Sequence, residues 1–208
     1  MDDMDKIPCP QCGALILPTT AAKNEGLCMP CRHGYRANLE ASKDYYRKQR
    51  EREGKDPMQA LWHGLLDRVH GTTAGYSGLT VPECLYLAVG LLDGEVHNGG
   101  FDQYFHNSAG DHYADAVAGL EAMEARASLE LLLKAKQILF GFRDVPTSTG
   151  LRRRVDVSDS QHQRLAPLDR AFRAHPDGLV ERVQAFVESH GLLSAEAMEA
   201  YRALYADA

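Results

Sequence analysis

Four cysteines in two pairs, Cys9-Pro-Gln-Cys12 and Cys28-Met-Pro-Cys31, are the residues of this chain best suited to chemistry. Each C-x2-C pair can fold back so that two thiolates face one ion. Two such knuckles, fifteen residues apart, complete a tetrahedral all-sulfur site. Gly13 directly after the first pair suits the required turn. The spacing predicts a zinc ribbon over residues 1–35 with structural Zn2+ as cofactor, and iron in a rubredoxin-like site as the minor alternative. Four protein ligands close the coordination sphere, which gives the ion a folding role and no catalytic one. So short a segment, poor in large apolar side chains, needs the metal to fold. Structural disulfides do not suit the cytosolic setting expected below. A redox C-x-x-C ordinarily comes singly and near a βαβ unit. The fifth cysteine, Cys84, sits inside an apolar run and reads as a small buried hydrophobe.

A second set of potential ligands, His97, Asp102, His106, Asp111, His112 and Asp115, crowds a short window. Asp102 and His106 are four residues apart on a helix and can reach one ion, which is the basis of a lesser reading as a metal-dependent enzyme. No H-E-x-x-H spacing accompanies them. Gly75-Tyr-Ser-Gly78 lacks the G-x-S-x-G pattern, and P-loop and dinucleotide fingerprints are absent from the sequence. The sequence therefore points away from an enzyme.

The elements that carry these residues are helical. With 208 residues and 44% hydrophobic content the chain can bury a real core, and its longest apolar runs are too short to span a bilayer. The acidic N-terminus has no apolar signal region, so the expected compartment is the cytosol. Residues 36–57 are dense in alternating charge and read as a solvated linker or helix. From residue 58 to 208 the hydrophobic pattern is helical throughout, with no period-2 stretches of any length. Helices are expected over Met58–His70, from a capping box at Thr80-Val-Pro-Glu83 to about Val96, over Phe101–Asn107, and over His112–Arg126. Further helices are expected over Leu129–Phe140 with Ser128 as N-cap, Gln161–Ala174, Leu179–His190, and Ala195–Ala206 behind Ser194. Pro167 should mark a kink or the true start of its helix. The fold class is all-α, a multi-helix bundle-like domain behind a small ribbon.

Charge is distributed unevenly. The net charge is −6, and between Glu83 and Glu130 nine acids face the single base Arg126. By charge alone the commoner reading is a solvated helical surface; the sharper one is a surface that repels nucleic acid and attracts basic protein patches. The bases in Lys43–Lys55 are interspersed with acids, so direct nucleic-acid binding through the ribbon and this stretch is the weaker alternative.

The most specific string in the chain is Glu95-Val-His-Asn-Gly-Gly-Phe-Asp-Gln-Tyr-Phe-His-Asn107. Gly99 and Gly100 allow a tight corner, after which Phe101, Tyr104 and Phe105 share one helical face. Read structurally, Asn98 caps the short helix, the aromatics fill the core, and Gln103 and Asn107 bond local backbone. This string resembles the signature of the bacterial DNA mimic protein 19-like domain family, and the resemblance extends over roughly residues 58–190. It implies an all-helical fold with an acidic surface that imitates the phosphates of duplex DNA and occupies a DNA-binding protein partner. The candidate contact acids are then Glu95, Asp102, Asp111, Asp115, Glu121 and Glu124. The expectation is a non-enzymatic regulatory protein that acts by association.

Overall fold

The computed structural model describes residues 6–154 and 156–206. They form two compact units, one through Lys55 and one from Asp56 onward. In the first, strands β1 (Ile7–Pro8) and β2 (Leu15–Ile16) pair antiparallel with Ile7 opposite Ile16. They are followed by α1 (Pro18–Lys23), the single turn α2 (Met29–Arg32) and α3 (Arg36–Glu53). No residue of α3 is buried. Ion pairs one turn apart support this polar helix: Arg36 and Lys43 with Glu40, and Arg47 and Lys48 with Asp44.

The second unit is all-α among its described residues, with α4 (Pro57–Gly71), α5 (Val81–His106), α6 (Tyr113–Ala122) and α7 (Arg126–Phe140). Then come α8 (Thr149–Arg152), α9 (Asp159–Arg173), α10 (Leu179–Ser189) and α11 (Ala195–Tyr205). Helix α5 is the axis, with α4, α6, α8, α9 and α10 packed on it. Its middle is apolar on most sides, and Leu87, Val89, Leu92, Val96, Phe101, Tyr104 and Phe105 are all but inaccessible to solvent. Close approach of α6 is possible because position 119 is glycine. A β-carbon there would lie 2.6 Å from the Val89 side chain and 3.0 Å from the Leu85 carbonyl oxygen.

Helix ends follow the local chemistry. Thr80 and Glu83 form the expected capping box, and Ser158 and Gln161 form a second one, not anticipated, at the start of α9. Ser194 caps α11 by accepting the Ala197 N–H. Asp56, itself buried, accepts the N–H groups of Met58 and Gln59 and also the Tyr205 hydroxyl at 2.7 Å, which ties the last helix to the start of α4.

Three local expectations change. The first segment of α5 runs a few residues past Val96, and the expected corner falls at Gly100 (φ 85°), beyond which the short aromatic segment runs from Phe101 to His106. Helix α7 begins at Arg126, so Ser128 is not its N-cap. Its first free N–H groups, on Ala127 and Ser128, are taken by the Asp177 carboxylate from 50 residues away. Helix α9 starts at Asp159 and runs on through Pro167, with Leu165 and Phe172 buried on either side of the proline.

Candidate metal centre and the motif corner

In the first unit the β1–β2 hairpin carries Cys9 and Cys12, while Cys28 is the N-cap of α2 and Cys31 lies within it. The hairpin knuckle is closed by Gly13 N–H to the Cys9 oxygen and Cys9 N–H to the Ala14 oxygen, both 2.8 Å. One sulfur from each of the four cysteines lies within 4.8 Å of the others, and Cys12 Sγ is 3.6 Å from Cys28 Sγ. That separation is far beyond a disulfide and close to the roughly 3.8 Å expected between thiolates bound to one tetrahedral ion at about 2.3 Å. The four cysteines are free thiols, and Cys9, Cys28 and Cys31 are buried.

Their electrostatics suit a cation. The Cys28 main-chain N–H, 3.3 Å from Cys9 Sγ, draws that thiol down to about 6. Burial, followed by the neighbouring sulfurs, pushes Cys31 up to about 12. Four thiolates at this distance repel one another unless a positive ion sits among them. The donor set, its convergence and its closed hairpin therefore fit a bound metal ion, held by Cys9, Cys12, Cys28 and Cys31.

In the second unit the motif string forms the break in α5. Phe101, Tyr104 and Phe105 are fully buried, and Phe101 and Phe105 meet Phe172 and Phe140 edge-on. The N–H of Phe101, freed by the break, is bound at 2.9 Å by Asp169 of α9, so the expected cap Asn98 is replaced by a residue 68 positions away. Asn98 is exposed. Gln103 and Asn107 bond a side chain and not local backbone: both amides donate to Glu95 Oε2, at 2.5 and 2.9 Å. With Trp62, Gly94 and Asn98 they line a shallow depression of about 290 Å3. Gly99 leaves room for this, since a β-carbon there would lie 2.1 Å from Gln103 Oε1.

The six candidate contact acids divide into two groups. Glu121 and Glu124 are exposed at the end of α6 and the turn after it. The other four have internal partners. Glu95 holds the two amides just described. Asp102 is 2.7 Å from His106 Nδ1 and 3.9 Å from His162. Asp115 accepts the Tyr76 hydroxyl at 2.8 Å. Asp111 is 2.6 Å from Nη2 of Arg152, whose side chain is completely buried.

Arg152 is the residue least visible in sequence. It belongs to a basic triplet that looks solvent-facing, yet its guanidinium also donates to the main-chain oxygens of Phe105, Pro146 and Asn107, at 2.6–2.9 Å. Arg153 Nε adds the His106 oxygen at 3.0 Å. Two arginines of the triplet thus terminate α5, where its last carbonyls carry partial negative charge. No local pattern announces these contacts, which, Pro146 aside, join residues more than 40 positions apart.

A helical unit with a broken axial helix, behind a four-cysteine cluster that could hold a metal ion, describes a small all-α protein. The family model for DMP19-like proteins matches residues 77–190, more than half of the chain, and the chain belongs to that family. A 50-residue stretch is 48% identical to Uncharacterized protein YpfL of Salmonella typhimurium, covering 23% of this chain and 11% of that protein. The chain thus spans a small part of that relative's length. No solved structure matches. No helix among the described residues is long and apolar enough to cross a membrane.

Proposed function

We propose that this protein is a non-enzymatic regulator that works by binding a basic protein partner, in the family's manner a DNA-binding protein, through carboxylates of its helical unit. The observation that carries the reading is the charge of one part of the family-matched stretch, nine acids against one base between Glu83 and Glu130. Glu121 and Glu124 offer exposed charge to solvent. Asp115 is half-buried and oriented by the Tyr76 hydroxyl, which holds its charge in a fixed direction, and Asp102 lies half-buried beside His106. Glu95 and Asp111 contribute less, being held by two amides and by a buried guanidinium. The four thiolates hold zinc, which folds the N-terminal unit.

Direct nucleic-acid binding by α3 has less support because ion pairs within the helix occupy much of its positive charge. A catalytic metal at Asp102 and His106 has less support because, among the described residues, no third metal-ligating side chain converges with them. The test is capture of basic DNA-binding proteins by the immobilised full chain across a salt series. Capture should weaken as salt rises and on combining Glu121→Lys with Glu124→Lys. Capture that is absent, or indifferent to both salt and charge reversal, refutes the reading.

A further inference from the structure

A second group of metal-ligating side chains lies in the helical unit, apart from the cysteines and from Asp102 and His106. Asp93 and His97 stand one turn apart on α5 and share a face. His175 comes from the turn after α9. One donor atom from each of the three lies within 4.8 Å of the other two. The His97 and His175 rings stack with centroids 4.8 Å apart and 21° between their planes.

Three features make this more than proximity. The first is the tautomer of His97. Its Nδ1 lies 2.9 Å from the main-chain oxygen of Asp93, and a carbonyl can only accept, so Nδ1 carries the hydrogen and Nε2 keeps its lone pair. A main-chain carbonyl that fixes one ring nitrogen while the other binds is the usual support of a ligating histidine. The second is Asp93 Oδ1, which is shut off from solvent and accepts no hydrogen bond although it sits 3.3 Å from that same nitrogen. The residue also lines an apolar cleft of about 160 Å3, walled by Met58, Trp62, Tyr86 and Leu179.

The third is the backbone of His175. It follows the C-cap Ala174 with φ +49°, in the left-handed region where a helix ordinarily places glycine. The next residue is Pro176, which further disfavours helical geometry before it. A side chain is therefore kept at a position where glycine would be less strained, and its ring lies against His97.

We infer that Asp93, His97 and His175 form a binding site for a divalent first-row transition ion, with zinc as its best-suited occupant. Imidazole and carboxylate donors suit such an ion. Ligands bound to a tetrahedral ion at about 2.1 Å lie roughly 3.4 Å apart, so three donors already within 4.8 Å of one another need to draw together by little more than about 1 Å. Three protein ligands leave one position for water or for a group from a bound partner. An ion there joins α5 to the end of α9 next to the break at Gly100.

The test uses the full chain, first loaded with zinc until its N-terminal thiols resist alkylation, then titrated with further Zn2+ by calorimetry. Wild type should take up one additional equivalent. Two variants remove ligands without threatening the fold: His175→Gly, which relieves the left-handed backbone, and His97→Ala, an exposed helical site. Each should weaken the additional equivalent by roughly tenfold or more while leaving thiol protection unchanged. Imidazole nitrogen resonances of both histidines should shift with the same titration. No additional equivalent in wild type, or one that persists undiminished in both variants, overturns the assignment. Neither result bears on the cysteine site, which the thiol readout follows separately.

Discussion

The carboxylate of Asp169 on α9 accepts the main-chain N–H of Phe101 at 2.9 Å, and the same carboxylate closes over Gly100. At Gly100 the axial helix changes direction with φ +85°, and a β-carbon there would lie 2.7–2.9 Å from the Asp169 side chain. The break leaves an orphan donor, and Asp169 satisfies it in the manner of an N-cap contributed by another helix. Asp169→Ala should therefore cost about 1–2 kcal/mol. Gly100→Ala, which meets both backbone strain and collision, should cost about 2–4 kcal/mol. Urea denaturation of both variants checks this. A Gly100→Ala protein as stable as wild type would mean the break is not needed.

Arg152 should be among the most sensitive positions in the helical unit. Its removal strands the Asp111 carboxylate and the carbonyls of Phe105, Pro146 and Asn107, so Arg152→Met should destabilise by about 3–5 kcal/mol. Arg152→Lys should rescue little, because one ammonium cannot serve acceptors spread around a planar fork. Arg154, exposed in the same triplet, should tolerate replacement within about 0.5 kcal/mol. Thermal unfolding of the three variants gives the comparison.

Two carboxylates make stability depend on acid pH. Burial pushes the Asp177 carboxyl up, but the N–H groups of Ser128 and Ala127 outweigh it and hold the group below the usual carboxylate range. Glu83 is held down chiefly by Arg68, 2.5 Å away, against the opposing effect of burial. Both bind protons more weakly folded than unfolded. Their stabilisation is complete above the unfolded values near about 4 and is lost as pH falls through the lower folded values. Stability should therefore decline with acidification below about pH 4. Asp177→Asn and Glu83→Gln should each flatten that slope, as urea midpoints across the pH series will show.

Metal removal should act on one unit only. The N-terminal unit has little apolar core beyond its cysteines, with Ile16 and Leu27 packed against them, whereas the helical unit has a large buried core. A strong chelator, or Cys28→Ser, should abolish the structure of residues 6–35 while leaving the cooperative helical melt intact. Rebinding should release protons and weaken as pH falls, since Cys31 is a thiol held up at about 12 until metal arrives. A chelator that left the hairpin amide signals undisturbed would contradict this.

The cysteine pairs, the helical periodicity and the Thr80–Glu83 capping box could be read from the chain because each depends on residues a few positions apart. C-x2-C spacing constrains a knuckle, and Thr80 with Glu83 completes a cap within one turn. The aromatic stripe of Phe101, Tyr104 and Phe105 was legible for the same reason. Ser128 misled because a good capping residue stood near a helix start whose donors Asp177 had already taken. Asn98 misled likewise, since Asp169 reaches the same donor from another helix.

Sequence alone determined the all-α class, the converging thiols and the acidic balance, all properties of composition and short-range pattern. Tertiary structure decided which charges are free. It buried Arg152 against the end of α5, bound Glu95 to two amides, and left Glu121 and Glu124 in solvent. It also brought His175 to His97 across 78 positions. Whether a charged side chain is a surface feature or an internal tie depends on which distant backbone groups lack partners. That is settled only when the helices pack.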